Sequence, residues 1–312
     1  MYRKTLLACA LALVVMTSAC SEETPSTTTA ASSLPAETST AAAFPREVLG
    51  VIIPVKPMRI VSASASHTEM IYALGEGDRI VATDLFSDWP TEATETDKID
   101  AFNIGVETVA ALEPDLVILS FDPGDVVDGL GRLGIPAILF FAPETLDEAY
   151  VQIEEVGAAI GAGEEADALV EGMRSEVEDI QARIPEGGDR PTYYHELDPT
   201  LYSITSGTFI GSIYSLAGME NIADAADDAG SGYPQLSAEY LIEADPDFIF
   251  LADTVCCGES AATVAERPGW ETLTAVRTGK VVELDDSVAS RWGPRIVEFL
   301  ETVVDAAYVT AG

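Results

Sequence analysis

Two histidines and four cysteines are the whole complement of imidazole and thiol ligands in this chain of 312 residues, so its chemistry can be weighed residue by residue. His67 lies at a capped helix start and reads as a satisfied polar residue. His195, Glu196 and Asp198 crowd three nitrogen and oxygen donors into a short stretch, the beginning of a bare-metal site that would need further inward ligands. Cys256 and Cys257 are adjacent; in an oxidising exterior they close into a strained vicinal disulfide or stay unpaired. No nucleophile-elbow motif occurs and no Cys or His pair has zinc spacing, which leaves an extracellular hydrolase as a minor alternative. Gly161-Ala162-Gly163-Glu164-Glu165-Ala166 matches a dinucleotide-binding pattern in letters only, because it follows a helix and sets carboxylates where phosphates would sit. No cofactor and no resident metal are implied.

A different chemistry follows from large side chains on the segments between periodic elements. Phe86, Trp89, Phe102 and Phe121 fall on loops of the first half, and Tyr202, Tyr233, Arg291 and Trp292 on loops of the second. Aromatic faces suit a large, flat or greasy ligand, and a guanidinium would pair with an anionic group on it. A bare ion would want neither.

These loops need a scaffold, and the scaffold is duplicated. Ile71-Tyr72 and Leu74-Gly75 are followed by Glu107, Pro114-Asp115 and the apolar run Leu116 to Leu119; Ile213-Tyr214 and Leu216 are followed by Glu239, Pro246-Asp247 and the run Phe248 to Leu251. In both halves the glutamate precedes the proline by the same interval. Between the halves, apolar residues from Ala166 to Ile184 recur at spacings of three and four, predicting one amphipathic helix over Gly163 to Pro185, about 31 Å long. The predicted fold is α/β, with two similar Rossmann-like lobes whose parallel-rich sheets are joined by this long helix. The first lobe spans 44–160, the linking helix 161–186 and the second lobe 187–312. Strands are expected at Met58 to Val61, Asp78 to Ala82, Leu116 to Leu119, Ala137 to Phe141, Thr192 to His195, Leu201 to Ile204, Phe248 to Leu251 and Lys280 to Leu284, with a long loop over Leu85 to Ile104. Ligands of open parallel sheets gather at the carboxyl ends of the strands. If the lobes present those ends to one another, the two sets of loops form one cleft, and a single rod between them implies near-rigid capture.

Composition sets outer bounds. The 53 acidic and 16 basic side chains give a net charge of -37, which argues against nucleic acid and reads as a solvated shell. Residues 1–19, with Arg3, Lys4 and a short apolar run, form an export signal too short to span a bilayer. Residues 20–43 begin at Cys20 and continue as a Ser, Thr, Ala and Glu-rich disordered tether.

The segments Arg59 to Leu74, Phe86 to Pro90, Glu107 to Leu119, Thr205-Ser206-Gly207, Glu220-Asn221-Ile222, Tyr233 to Ser237 and Ser290 to Ile296 resemble the helical-backbone substrate-binding proteins of ABC importers, which capture cobalamin, iron-siderophore complexes and haem. The cobalamin branch is the most similar in pattern, with Ala101-Phe102 standing where that branch has tryptophan. The Cys20 region resembles a bacterial lipobox. The resemblance implies a lipid-anchored protein on the outer face of the cell membrane that delivers a chelate to a permease, with Glu107 and Glu239 meeting permease arginines and with Phe86 and Tyr233 at ligand-contacting positions.

Overall fold

The computed structural model describes residues 44–309. The export signal, Cys20 and the tether lie outside the described residues. The chain enters through a hairpin, β1 (Arg46–Val48) and β2 (Val51–Ile53), which the sequence did not announce because its turn uses Leu49-Gly50, both at positive φ.

The first sheet is built from β3 (Ile60–Ala63), β4 (Ile80–Asp84), β5 (Asp97–Ile99), β6 (Leu116–Leu119) and β7 (Ala137–Leu139), in the order β5-β4-β3-β6-β7 with every pairing parallel. Helix α1 (Ala65–Ala73) follows β3, α2 (Val106–Ala110) precedes β6, and α3 (Val126–Arg132) joins β6 to β7. All four residues of β3 and of β6 are buried, as a strand covered on both faces requires. Edge strand β5 lies inside the predicted loop; three residues with one buried side chain, Ile99, carry no alternation to read.

Helix α4 (Leu146–Ile160) and helix α5 (Gly163–Gln181) then form a hairpin across Gly161. Helix α5 buries Ala166, Val170, Met173, Val177 and Ile180, the seam that the spacing predicts, and stops four residues before Pro185. Its 19 residues span about 28 Å.

The second sheet contains β8 (Thr192–Glu196), β9 (Glu220–Asn221), β10 (Phe248–Leu251) and β11 (Val281–Glu283), ordered β9-β8-β10-β11 and again parallel throughout. Removing edge strand β5 from the first sheet leaves the same order, so the sequence repeat is a repeat of topology. Helix α6 (Phe209–Leu216) corresponds to α1 and α7 (Ala238–Ala244) to α2. Short helices α8 (Thr254–Cys257), α9 (Ala261–Ala265) and α10 (Thr274–Thr278) lie between β10 and β11. The closing helix α11 (Ile296–Val304) packs on α5 and α6. The strand expected over Leu201 to Ile204 reduces to one bridge, Tyr202 with Gln235, because Leu201 takes a left-handed conformation that breaks extension.

One core cluster runs from β3 and α1 through α4 and α5 to α6, β10 and α11. The α4–α5 crossing is close-packed at Gly157 of α4, where an added Cβ would lie 2.4 Å from the Ala166 Cβ of α5 and 2.9 Å from the Ala162 carbonyl. Exchanging this glycine relieves a helix-propensity cost of about 1 kcal/mol, but backbone cannot move aside as a flexible side chain can. Gly157→Val is expected to destabilise the protein by about 1 to 3 kcal/mol, read as a lower denaturant midpoint; an unchanged midpoint would show that the hairpin crossing is not close-packed.

Candidate functional site

The carboxyl ends of four strands of the first sheet open onto a cavity of about 320 Å³. Its floor is Ala63 to Ser66 after β3, a run of small residues that leaves space above it; Asp84 and Phe86 follow β4, Phe102 follows β5 and Phe121 follows β6. The second lobe supplies Arg291 and Trp292. Phe86, Phe102 and Phe121 form a continuous wall, with ring centroids 6.2 Å apart at each step. They are 60, 62 and 52% exposed, so the wall is presented and not folded into the core.

The presentation is local chemistry. The Asp84 carboxylate accepts the Phe86 N–H at 2.6 Å, and Asp100 accepts the Phe102 N–H at 3.0 Å, so each phenylalanine sits two residues after an aspartate that turns the chain. Ser231 does the same for Tyr233, accepting its N–H at 3.1 Å. Asp84 is itself held from below, with Ser87 Oγ donating to it at 2.8 Å and to Thr68 Oγ1 at 3.0 Å.

Arg291 is not the free charge that a ligand anion would meet. Its guanidinium donates to Glu69 at 2.9 Å, Asp88 at 2.7 Å and the Phe86 carbonyl at 2.6 Å, all in the first lobe. Burial opposes the arginine's charge, but the two carboxylates outweigh it and hold its pKa above the ordinary value. Arg295 adds a second guanidinium on Glu69, at 2.6 Å. Trp292 donates through Nε1 to Gln152 at 3.1 Å. None of these partners, Glu69, Asp88 or Gln152, stood out in the sequence.

The remaining aromatics disperse. Tyr233 lines a second cavity of about 420 Å³, between Ala142-Pro143-Glu144 of the first lobe and Thr205 to Phe209 of the second. Trp89 lies under the Arg295 guanidinium, 4.7 Å from ring centroid to Cζ, and lines another cavity on the far side of α1. Tyr202 pairs through its backbone with Gln235, and its side chain, 40% exposed, lines neither of the two cavities between the lobes. Glu107 and Glu239 are exposed, each the second residue of its helix, at equivalent places in the repeat.

The bare-ion triad does not converge. His195 is fully buried, bonded through Nδ1 to Tyr214 Oη at 2.9 Å, and burial lowers its pKa to about 3. Glu196 takes both Arg267 nitrogens, and Asp198 caps Thr200. Among the described residues no three His, Cys, Asp or Glu side chains are grouped to hold a metal. His67 bonds Ser64 Oγ at 2.8 Å, and burial lowers it to about 4, so both histidines are neutral near pH 7. The sulfurs of Cys256 and Cys257 are joined.

Asp253, fully buried at the end of β10, is raised from 3.8 to about 7, first by burial and then by neighbouring Glu196 and Glu259. The folded state therefore holds a proton that the unfolded chain loses near pH 4, and stability falls as pH rises from about 4 to 7. Asp253→Asn is expected to raise the thermal midpoint at pH 8 and leave it nearly unchanged at pH 4. Equal effects at both pH values would refute a buried proton.

Residues 60–288 match the model of the family described as periplasmic binding protein. The chain is 32% identical over 266 residues to the uncharacterized ABC transporter substrate-binding lipoprotein YvrC of Bacillus subtilis, covering 83% of this chain and 82% of that one. It is 30% identical over 271 residues to a cobalamin-binding protein of Halobacterium salinarum, covering 83% and 72%. Among solved structures, the periplasmic vitamin B12 binding protein BtuF of Vibrio cholerae superposes with a TM-score of 0.68 at 26% identity, over 81% of this chain and 97% of that one. The haem-binding protein HutB of Vibrio cholerae shares the fold, with a TM-score of 0.72 at 23% identity over 80% and 99%. The duplicated parallel sheets, the connecting helix and the cavity at their carboxyl ends are thus those of a non-enzymatic solute-binding protein, and the chain belongs to the periplasmic binding protein family.

Proposed function

We propose that this protein is the extracytoplasmic substrate-binding component of an ABC importer and that its cargo is a metal chelate, with a corrinoid as the leading candidate and iron-siderophore or haem as the alternatives. The observation that carries the reading is the wall of Phe86, Phe102 and Phe121 at the lobe seam, an apolar surface suited to one face of a broad, flat ligand. The cavity lining contains no His, Cys, Met or Tyr. It therefore favours a chelate whose metal already has its ligands over a haem iron that needs an axial residue. The cobalamin-binding protein of Halobacterium salinarum and the vitamin B12 binding protein of Vibrio cholerae support the corrinoid.

On this reading Cys20 carries the lipid that anchors the protein at the outer face of the membrane, and Glu107 and Glu239 meet cationic residues of the permease, one per lobe. Binding is tested by titrating the protein with cyanocobalamin, hemin and ferrichrome while following tryptophan fluorescence. One of the three is expected to bind with micromolar or tighter affinity, and Phe102→Ala to weaken it about tenfold. Failure of all three removes the chelate reading.

In cells, Glu107→Ala with Glu239→Ala is expected to abolish uptake while affinity is retained, and Cys20→Ala to release the protein to the medium. Normal uptake by the double variant would refute docking through these glutamates. Membrane retention of the Cys20 variant would refute the anchor.

A further inference from the structure

The Cys256–Cys257 ring belongs to no part of the site described above, and its surroundings give it a role. Both cysteines are exposed, and Val255 beside them, at 77%, is the most exposed large hydrophobic side chain among the described residues. This is not a loose loop. The Asp286 carboxylate accepts the Val255 N–H at 3.1 Å, the Cys256 N–H at 2.7 Å and the Thr254 hydroxyl at 3.1 Å, and the Gly258 N–H returns to the Thr254 carbonyl at 3.1 Å. A turn held this firmly keeps Val255 and the two disulfide residues at the surface in one fixed arrangement.

The interval that aligns Pro114 with Pro246 pairs Phe121 with the buried Asp253 and sets Val255 and Cys256 two and three residues further on, in the turn after β10 that answers the turn after β6. Ser287, next to the Asp286 that fastens the turn, donates across the seam to Asp88 at 3.1 Å. Asp88 in turn holds Arg291, itself part of the cavity wall. The residue that fastens the ring therefore stands next to one that is bonded across the lobe seam.

We propose that Val255 and the Cys256–Cys257 disulfide are the second lobe's apolar contact for the chelate, opposing the phenylalanine wall of the first lobe. The assignment rests on the chelate reading above. A closed disulfide has no charge and no thiol proton to donate, and it offers two polarizable sulfurs on a ring with few internal rotations. Ligand burial there orders little and strands no polar group.

Calorimetric titration with cyanocobalamin, hemin and ferrichrome would be run on the full chain, on Val255→Asp, on Val255→Ala and on Cys256→Ser with Cys257→Ser, with circular dichroism and the unfolding midpoint as controls. Because the three side chains are exposed, fold and midpoint are expected to hold. Affinity for the bound chelate is expected to fall about tenfold in Val255→Asp and about threefold to fivefold in Val255→Ala and in the serine pair. If the parent chain binds a chelate and these variants bind it equally well, the assignment is overturned while the chelate reading stands. If the parent chain binds none of the three, both are overturned.

Discussion

The carboxylate of Glu69, 3% exposed on α1, sits against two guanidinium groups of the opposite lobe, Arg291 at 2.9 Å and Arg295 at 2.6 Å. Isolated, any of these charges would be costly to bury; paired, they hold only if the lobes stay at one separation. Gly293 lies between the two arginines, and a Cβ there would fall 2.7 Å from the Glu69 carboxylate and 3.2 Å from its Cβ. The backbone of the second lobe must come that close for both arginines to reach. Together with the α4–α5 hairpin, the bridge makes the cleft a preformed space, in keeping with capture that changes shape little.

The same bridge decides what the cleft can recognise. With Arg291 engaged by Glu69, Asp88 and the Phe86 carbonyl, the wall facing the cavity is three phenyl rings over a floor of alanine and serine. On the proposed reading, selection then rests on shape and apolar area more than on charge. Asp84 and Asp100 fix the backbone beside Phe86 and Phe102 before any ligand arrives, which lowers the entropy lost on binding.

Much of this architecture was legible in the order of residues. Continuous apolar runs such as Leu116 to Leu119 and Phe248 to Leu251 announce strands covered on both faces, and the repeated interval from Glu107 to Pro114 and from Glu239 to Pro246 announces the duplication. The three-and-four spacing from Ala166 to Ile180 announces α5. Each is a local pattern, set by the period of the element that carries it. The gathering of Phe86, Phe102, Phe121, Arg291 and Trp292 was anticipated as far as the rule for strand ends reaches, because that rule depends on topology alone.

What only the folded chain decided depends on pairs far apart in sequence. Trp89 stands three residues from Phe86, yet its ring goes to Arg295, and Arg291 is engaged by Glu69 of the other lobe. His195, Glu196 and Asp198 are near neighbours in the chain but find separate partners, because His195 and Glu196 point to opposite faces of β8 and Asp198 lies in the bend beyond its end. Periodicity states which side of its own element a residue occupies. It carries no information about which distant element will approach that side, and in this protein the approach of one lobe to the other settles the charge, the wall and the shape of the site.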